Sequence, residues 1–223
     1  MANLDIRSIL FDLDGTLTDP KVGITTCIRH AMDSLALGAT EQPLDWCIGP
    51  PLVDSFAVLF DSQDPLLLKE ALSLYRERFA SIGLYENELY PDVAEGLAQL
   101  TNAGYQLYLA TSKPHIYARR ILEHFKIDHY FTAIHGSELS GVRTDKTELI
   151  AYIVERAQLD PQHCVMIGDR QFDIIGAKQN SICSIGVSYG YGSLAELEQA
   201  QPDYLFSQFN DLIDFLLQDV LPN

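Results

Sequence analysis

The chain has 223 residues, 47% hydrophobic and 21% charged, enough to bury a self-sufficient core and too apolar for long disordered segments. Fifteen basic residues against 31 acidic ones leave a formal charge of -16, a field that repels nucleic-acid backbones and anionic lipid surfaces. A small phosphate ester is repelled by the same field, so such a substrate requires a local patch of cations.

The amino-terminal run MANLDIRSILFDLDG has acids at Asp5, Asp12 and Asp14 and lacks the basic flank and apolar stretch of a signal peptide. No later run has the length and hydropathy of a membrane span. Cys27, Cys47, Cys164 and Cys183 are scattered, with no C-x-x-C pair, which argues against zinc and disulfides and fits a reduced, cytoplasmic protein. Residues 6–13, IRSILFDL, read as a parallel strand covered on both faces.

Residues 20–85 break the strand rhythm: GITTCIRHAMDSLAL, PLVDSFAVLF and PLLLKEALSLYRERFASIGL are helix-like, with turns between them and no strand. They are expected to form a helical insertion at 20–85, leaving 1–19 and 86–223 as the core domain. After it come a helix over 91–103, a strand over 105–111, helices over 114–125 and 145–159, and a strand over 164–169. Strands alternating with helices predict a right-handed, doubly wound, Rossmann-like α/β sheet.

Four clusters carry chemistry, and each also has a plain structural reading. Asp12 and Asp14 stand at the carboxyl edge of the first strand, where open α/β sheets bind ligands; alone, Asp-x-Asp-Gly is an ordinary turn. Thr111, Ser112 and Lys113 offer hydroxyls, amides and an ammonium to an anion, though Ser112 before Pro114 also makes a helix start. Lys146 falls in the first turn of a helix, where a cation opposes the macrodipole; it is either a solvated surface lysine or a cation aimed at bound phosphate. Asp169 and Asp173 lie four apart at a strand-to-helix turn, where they stabilise the helix start or join Asp12 and Asp14 around a hard divalent cation, magnesium being the natural choice.

The ordered set DLDGTLTD, ATSK, a lysine and GDRQFD resembles the four motifs of haloacid dehalogenase superfamily phosphatases, and it spans residues 12–173. The resemblance implies Asp12 as nucleophile, Asp14 as general acid/base, and Thr111, Ser112 and Lys146 as phosphoryl-binding groups. It also implies magnesium held by Asp12, the backbone carbonyl of Asp14, Asp169 and, directly or through water, Asp173. The helical insertion is similar to the cap of the phosphoglycolate phosphatase and 5'-nucleotidase-like branch, with Ile48-Gly49-Pro50-Pro51-Leu52 as a cap loop. Lys21, Arg29, Gly49 and Lys113 are candidates for recognising the rest of the substrate, against a plain reading as solvated helix residues and a rigid turn.

Thr144-Asp145-Lys146-Thr147 stands where many relatives, sugar phosphomutases included, carry Lys-Pro-x-Pro, and this is closer to the nucleotidases. The six histidines show no metal-ligand spacing. The expected function is magnesium-dependent hydrolysis of a small phosphomonoester, phosphoglycolate or a nucleoside 5'-monophosphate, by a monomer or homodimer. The rivals are a phosphomutase with the same motifs and a catalytically idle regulatory module.

Overall fold

The computed structural model describes residues 5–37 and 42–218. Residues 1–4 of the amino-terminal segment lie outside them, as do 38–41 in the expected insertion and 219–223 of the expected core. The elements run β1 (Ser8–Phe11), β2 (Thr18–Asp19), α1 (Lys21–Ser34), α2 (Leu52–Leu59), α3 (Pro65–Ser81), β3 (Glu88–Leu89), α4 (Val93–Asn102), β4 (Gln106–Pro114) and α5 (His115–Phe125). They continue as β5 (Phe131–Ser137), α6 (Lys146–Ala157), β6 (Cys164–Gly168), α7 (Gln171–Gln179), β7 (Cys183–Val187), α8 (Leu194–Ala200), β8 (Tyr204–Phe206) and α9 (Phe209–Gln218). The chain divides into two compact units, Met1–Asp19 with Leu89–Asn223, and Pro20–Glu88.

The sheet unit is built on six parallel strands in the order β5-β4-β1-β6-β7-β8. All four residues of β1 are buried, because helices cover both faces of the sheet at this central strand. Leu10 points one way, into a cluster with Tyr108, Met166, Leu149, Ile150 and Ile153 that seats α6 on the sheet. Phe11 points the other way and packs its ring 6.5 Å from Phe209 at the start of α9. Three strands absent from the expected pattern extend the sheet, β5 on one side and β7 and β8 on the other.

The strand order reverses at β1: β4 and β5 follow on one side, β6, β7 and β8 on the other. A doubly wound sheet opens a crevice at such a point, outside the carboxyl ends of the strands, because the helices leaving the two central strands diverge to opposite faces. The residues that follow β1 and β6 therefore meet there.

The helical unit buries an apolar seam between α1, α2 and α3, with Tyr75 stacked on Phe79 at 5.2 Å and edge-on to Phe56 at 6.4 Å. Asp64 caps α3, accepting from Leu66 N–H at 3.0 Å, with Pro65 at the first helical position. Among the described residues no helix is long and apolar enough to cross a membrane.

Candidate active site

Asp12 directly follows β1, and its N–H donates to Ile167 O at 2.9 Å, which carries the β1–β6 pairing one residue past the strand. The chain then folds back sharply, Leu13 O accepting from Leu17 and Thr18 N–H at 2.9 and 3.0 Å, with Gly15 at φ 86°. Glycine is required there twice over, since a Cβ would also sit 2.1 Å from Asp169 Oδ2.

Lys146 heads α6, whose N-cap Asp145 accepts from Glu148 N–H at 3.0 Å. It is 5% exposed, so it is not a solvated surface lysine. A buried ammonium at a helix start is unfavourable on both counts, and three oxygens offset the cost. Nζ donates to Asp12 Oδ1 at 2.9 Å and Ala110 O at 2.7 Å, and lies 2.8 Å from Asp173 Oδ1 as an ion pair without hydrogen-bond geometry. Burial disfavours its charge, but Asp12 and Asp173 outweigh burial and hold the ammonium above the ordinary lysine range.

Asp173, in the first turn of α7, accepts from Arg170 N–H through Oδ2 at 3.1 Å. Asp169 follows β6, and its Oδ2 accepts from Tyr191 N–H at 2.7 Å while Oδ1 has no hydrogen-bond partner. Asp12, Asp169 and Asp173 each bring a carboxylate oxygen within 4.8 Å of the others, and all three are buried. Burial, with Asp12 and Asp173 adding repulsion, pushes Asp169 well above the usual carboxylate range. Burial also raises Asp173, to about 6, against the pull of Lys146. Three convergent carboxylates, two of them pushed up and one, Asp169, with an oxygen lacking a hydrogen bond, fit a hard divalent cation with oxygen ligands.

Asp14 takes a different partner. Both its oxygens lie 2.7 Å from Lys113 Nζ, so its carboxylate stands apart from the three-acid cluster. Burial raises its pKa and Lys113 pulls against that rise. Thr111 is 2% exposed, and its Oγ1 accepts from Lys113 N–H at 3.3 Å. Ser112 is not a helix cap: β4 runs on to Pro114 because Ser137 Oγ donates to Ser112 O at 2.8 Å, and Ser112 Oγ donates to Thr144 O at 2.9 Å. The helix after it starts at His115 without a side-chain cap.

Lys21, Arg29 and Gly49 belong to the helical unit. Lys21 pairs with Asp45 at 2.6 Å on an exposed surface, Arg29 is exposed on α1, and Gly49 turns the chain before α2 at φ 105°. The loop over 188–193 has no counterpart in the expected site. Besides Tyr191 N–H on Asp169, it sends Tyr189 OH to Thr16 O at 2.8 Å, and a Cβ on Gly190 would lie 2.4 Å from Asp169 Oδ2. Its signal in the sequence is two glycines alternating with tyrosines just past the apolar run CSIGV.

The model of the family described as haloacid dehalogenase-like hydrolase matches residues 9–187. A 5'-nucleotidase of Pseudomonas aeruginosa is 46% identical over 91% of this chain and 92% of its own. A phosphoglycolate phosphatase of Colwellia psychrerythraea is 30% identical over 92% and 94%. The tyrosine-protein kinase PtkA of Mycobacterium tuberculosis is 35% identical over 82% of this chain, which spans only 62% of that longer protein. A solved predicted phosphatase from Clostridium acetobutylicum superposes with a TM-score of 0.90 at 38% identity, covering 96% and 99% of the two chains. With a family match across most of its length, relatives named as phosphatases and buried carboxylates at the switch point of its sheet, the chain belongs to the haloacid dehalogenase-like hydrolases, among their phosphatases.

Proposed function

We propose that the chain hydrolyses a small phosphomonoester, with nucleoside 5'-monophosphates ahead of phosphoglycolate, through an aspartyl phosphate on Asp12. The observation that carries this reading is Asp12 itself, at the end of the central strand with Oδ1 on Lys146 and the carboxylates of Asp169 and Asp173 beside it. An Asp12 oxygen bonds to phosphorus as the bond from phosphorus to the ester oxygen breaks, and Asp14 gives that oxygen its proton. Asp14 then takes a proton from the water that attacks phosphorus, which frees phosphate and restores Asp12. Thr111 and Lys146 hold the phosphoryl oxygens, whereas the Ser112 hydroxyl already donates to Thr144 O.

Asp12, Asp169, Asp173 and the Asp14 carbonyl would hold magnesium, which when bound supplies positive charge against the transferring oxygens. The order of substrates follows the 46% relative named as a 5'-nucleotidase. Residues 20–88 are read as the cap that selects the leaving group. With Lys21, Arg29, Lys69, Arg76 and Arg78 against ten acids, they favour substrates with no anionic group beyond the phosphoryl.

The test is phosphate release, as kcat/KM with magnesium fixed, from AMP, GMP, phosphoglycolate, a hexose phosphate, ATP and a phosphotyrosine peptide. AMP or GMP first supports the reading. ATP or the peptide first sinks it, and an isomerised hexose phosphate without free phosphate identifies a mutase.

A further inference from the structure

We infer that Lys113 is a positioning residue for Asp14, holding its carboxylate in the plane from which it hands a proton to the leaving oxygen. The inference rests on the acid/base role proposed for Asp14. It begins with an irregularity in β4: Thr111 pairs with Gly136 and Pro114 with Ser137, so three steps on β4 oppose one on β5. Ser112 and Lys113 are the two extra residues. Bulges of this kind re-aim side chains beside active sites, since the inserted residues escape the strict alternation of a strand.

The bulge is clamped along its length. Ser137 Oγ donates to Ser112 O at 2.8 Å, Ser112 Oγ to Thr144 O at 2.9 Å, and Lys113 N–H to Thr111 Oγ1 at 3.3 Å. On the β5 side only glycine fits, because a Cβ on Gly136 would lie 2.4 Å from Lys113 O. The result of that geometry is an ammonium 2.7 Å from both oxygens of Asp14, with the two side chains 7% and 11% exposed.

A carboxylate turns easily about its last torsion, and a general acid must present one particular oxygen. A single cation touching both oxygens fixes that plane. Lys146 is committed to Asp12 and Asp173, so the two lysines divide the site between nucleophile and acid.

The experiment compares Lys113→Met and Lys113→Arg with Asp14→Asn on two esters, AMP, whose alkoxide needs a proton to leave, and para-nitrophenyl phosphate, whose phenolate does not. The readouts are kcat/KM, which reports phosphoryl transfer to Asp12, and inhibition by inorganic phosphate. Lys113→Met should lose about 100-fold on AMP, the cost of a mispositioned catalytic group, and about tenfold or less on the aryl ester. Phosphate inhibition should stay within about twofold, and Lys113→Arg, whose fork grips both oxygens, should recover much of the AMP rate.

Equal losses on both esters, or phosphate binding weakened in step with the rate, overturn the inference: Lys113 would then be structural or a direct phosphoryl ligand. If Asp14→Asn is itself unselective between the esters, the acid role of Asp14 fails and takes the inference with it. If Asp14→Asn is selective and Lys113→Met is not, only the inference fails. Should Lys113→Met not fold, Lys113→Gln, which keeps a donor without the charge, carries the same comparison.

Discussion

The two units treat charge in opposite ways. In the sheet unit Asp12, Asp14, Lys146, Asp169 and Asp173 are all buried, whereas no charged side chain is buried among the described residues of the helical unit. Its ion pairs Lys21 with Asp45 and Arg78 with Glu86 remain open to solvent, at about half and about a quarter of their side-chain surface. Removing an ion from water costs several kcal/mol, and apolar packing of the same volume would stabilise a fold as well or better. The helical unit is what a chain does when stability alone sets the choice. Five ionisable groups drawn together at the carboxyl ends of the strands mark the place where chemistry sets it.

The comparison breaks most easily at Asp12. Asp12→Asn should keep its far-UV circular dichroism and lose turnover altogether, because an amide is a poor nucleophile. Asp14→Asn should lose about 100- to 10,000-fold in kcat/KM on AMP, the range for acid/base help. Normal steady-state turnover by either variant would show that burial of these acids has another purpose.

Lys146→Met separates the units by stability as well as rate. It leaves Asp12 and Asp173 buried beside each other without their ammonium, a change worth about 3–5 kcal/mol in unfolding free energy by the usual cost of breaking a buried pair. Lys21→Met, on the exposed pair of the helical unit, should move it by about 1 kcal/mol or less. Urea unfolding of both variants checks the contrast, and similar shifts would erase it.

Much of this contrast is legible in the sequence, and the part that is not has a physical pattern. β1, β4 and β6 announce themselves because central strands buried on both faces need unbroken apolar runs. β5 escapes notice because FTAIHGS lies on an outer edge, with only three of its seven residues buried and a histidine and a glycine in it. Ser112 reads as a helix cap from its local neighbours and serves the strand instead, since its decisive partners, Ser137 and Thr144, are 25 and 32 residues away. The loop over 188–193 reaches Asp169 only through the closing of the sheet, so no spacing rule could attach Tyr191 N–H to that carboxylate. Sequence motifs locate the groups that react; the groups that aim them are long-range and become visible in the fold.

Metal addition sharpens the contrast at a smaller scale. A divalent cation bound only by the folded state stabilises it by about 2.7 kcal/mol at a hundred times its dissociation constant. Titrating magnesium should therefore raise the melting temperature of the wild type. Asp173→Asn should abolish most of that rise, and Asp45→Asn, in the helical unit, should leave it intact. A rise of equal size in Asp173→Asn would remove that residue from the cation site.

The smallest effect belongs to the helical unit and to pH. Arg78 grips Glu86 through two hydrogen bonds of 2.7 and 2.9 Å, with the side chains 17% and 29% exposed. Those bonds, Arg78 first, hold Glu86 below the ordinary glutamate value of 4.5 despite its partial burial. Because the folded value is the lower one, the unfolded chain takes up its proton first as pH falls. The stability this pair contributes is thus complete above the ordinary value and is lost progressively as pH drops through the folded value. Partial exposure screens the pair, so its worth is about 1 kcal/mol or less. Acid also protonates the carboxylates of the sheet unit, so the measurement is a difference: urea midpoints of the wild type and Glu86→Gln from neutral pH downward. The gap between the two curves should be constant above the ordinary glutamate value and close below it. A gap that stays open in acid would show that Glu86 stabilises the turn by packing, with its charge playing no part.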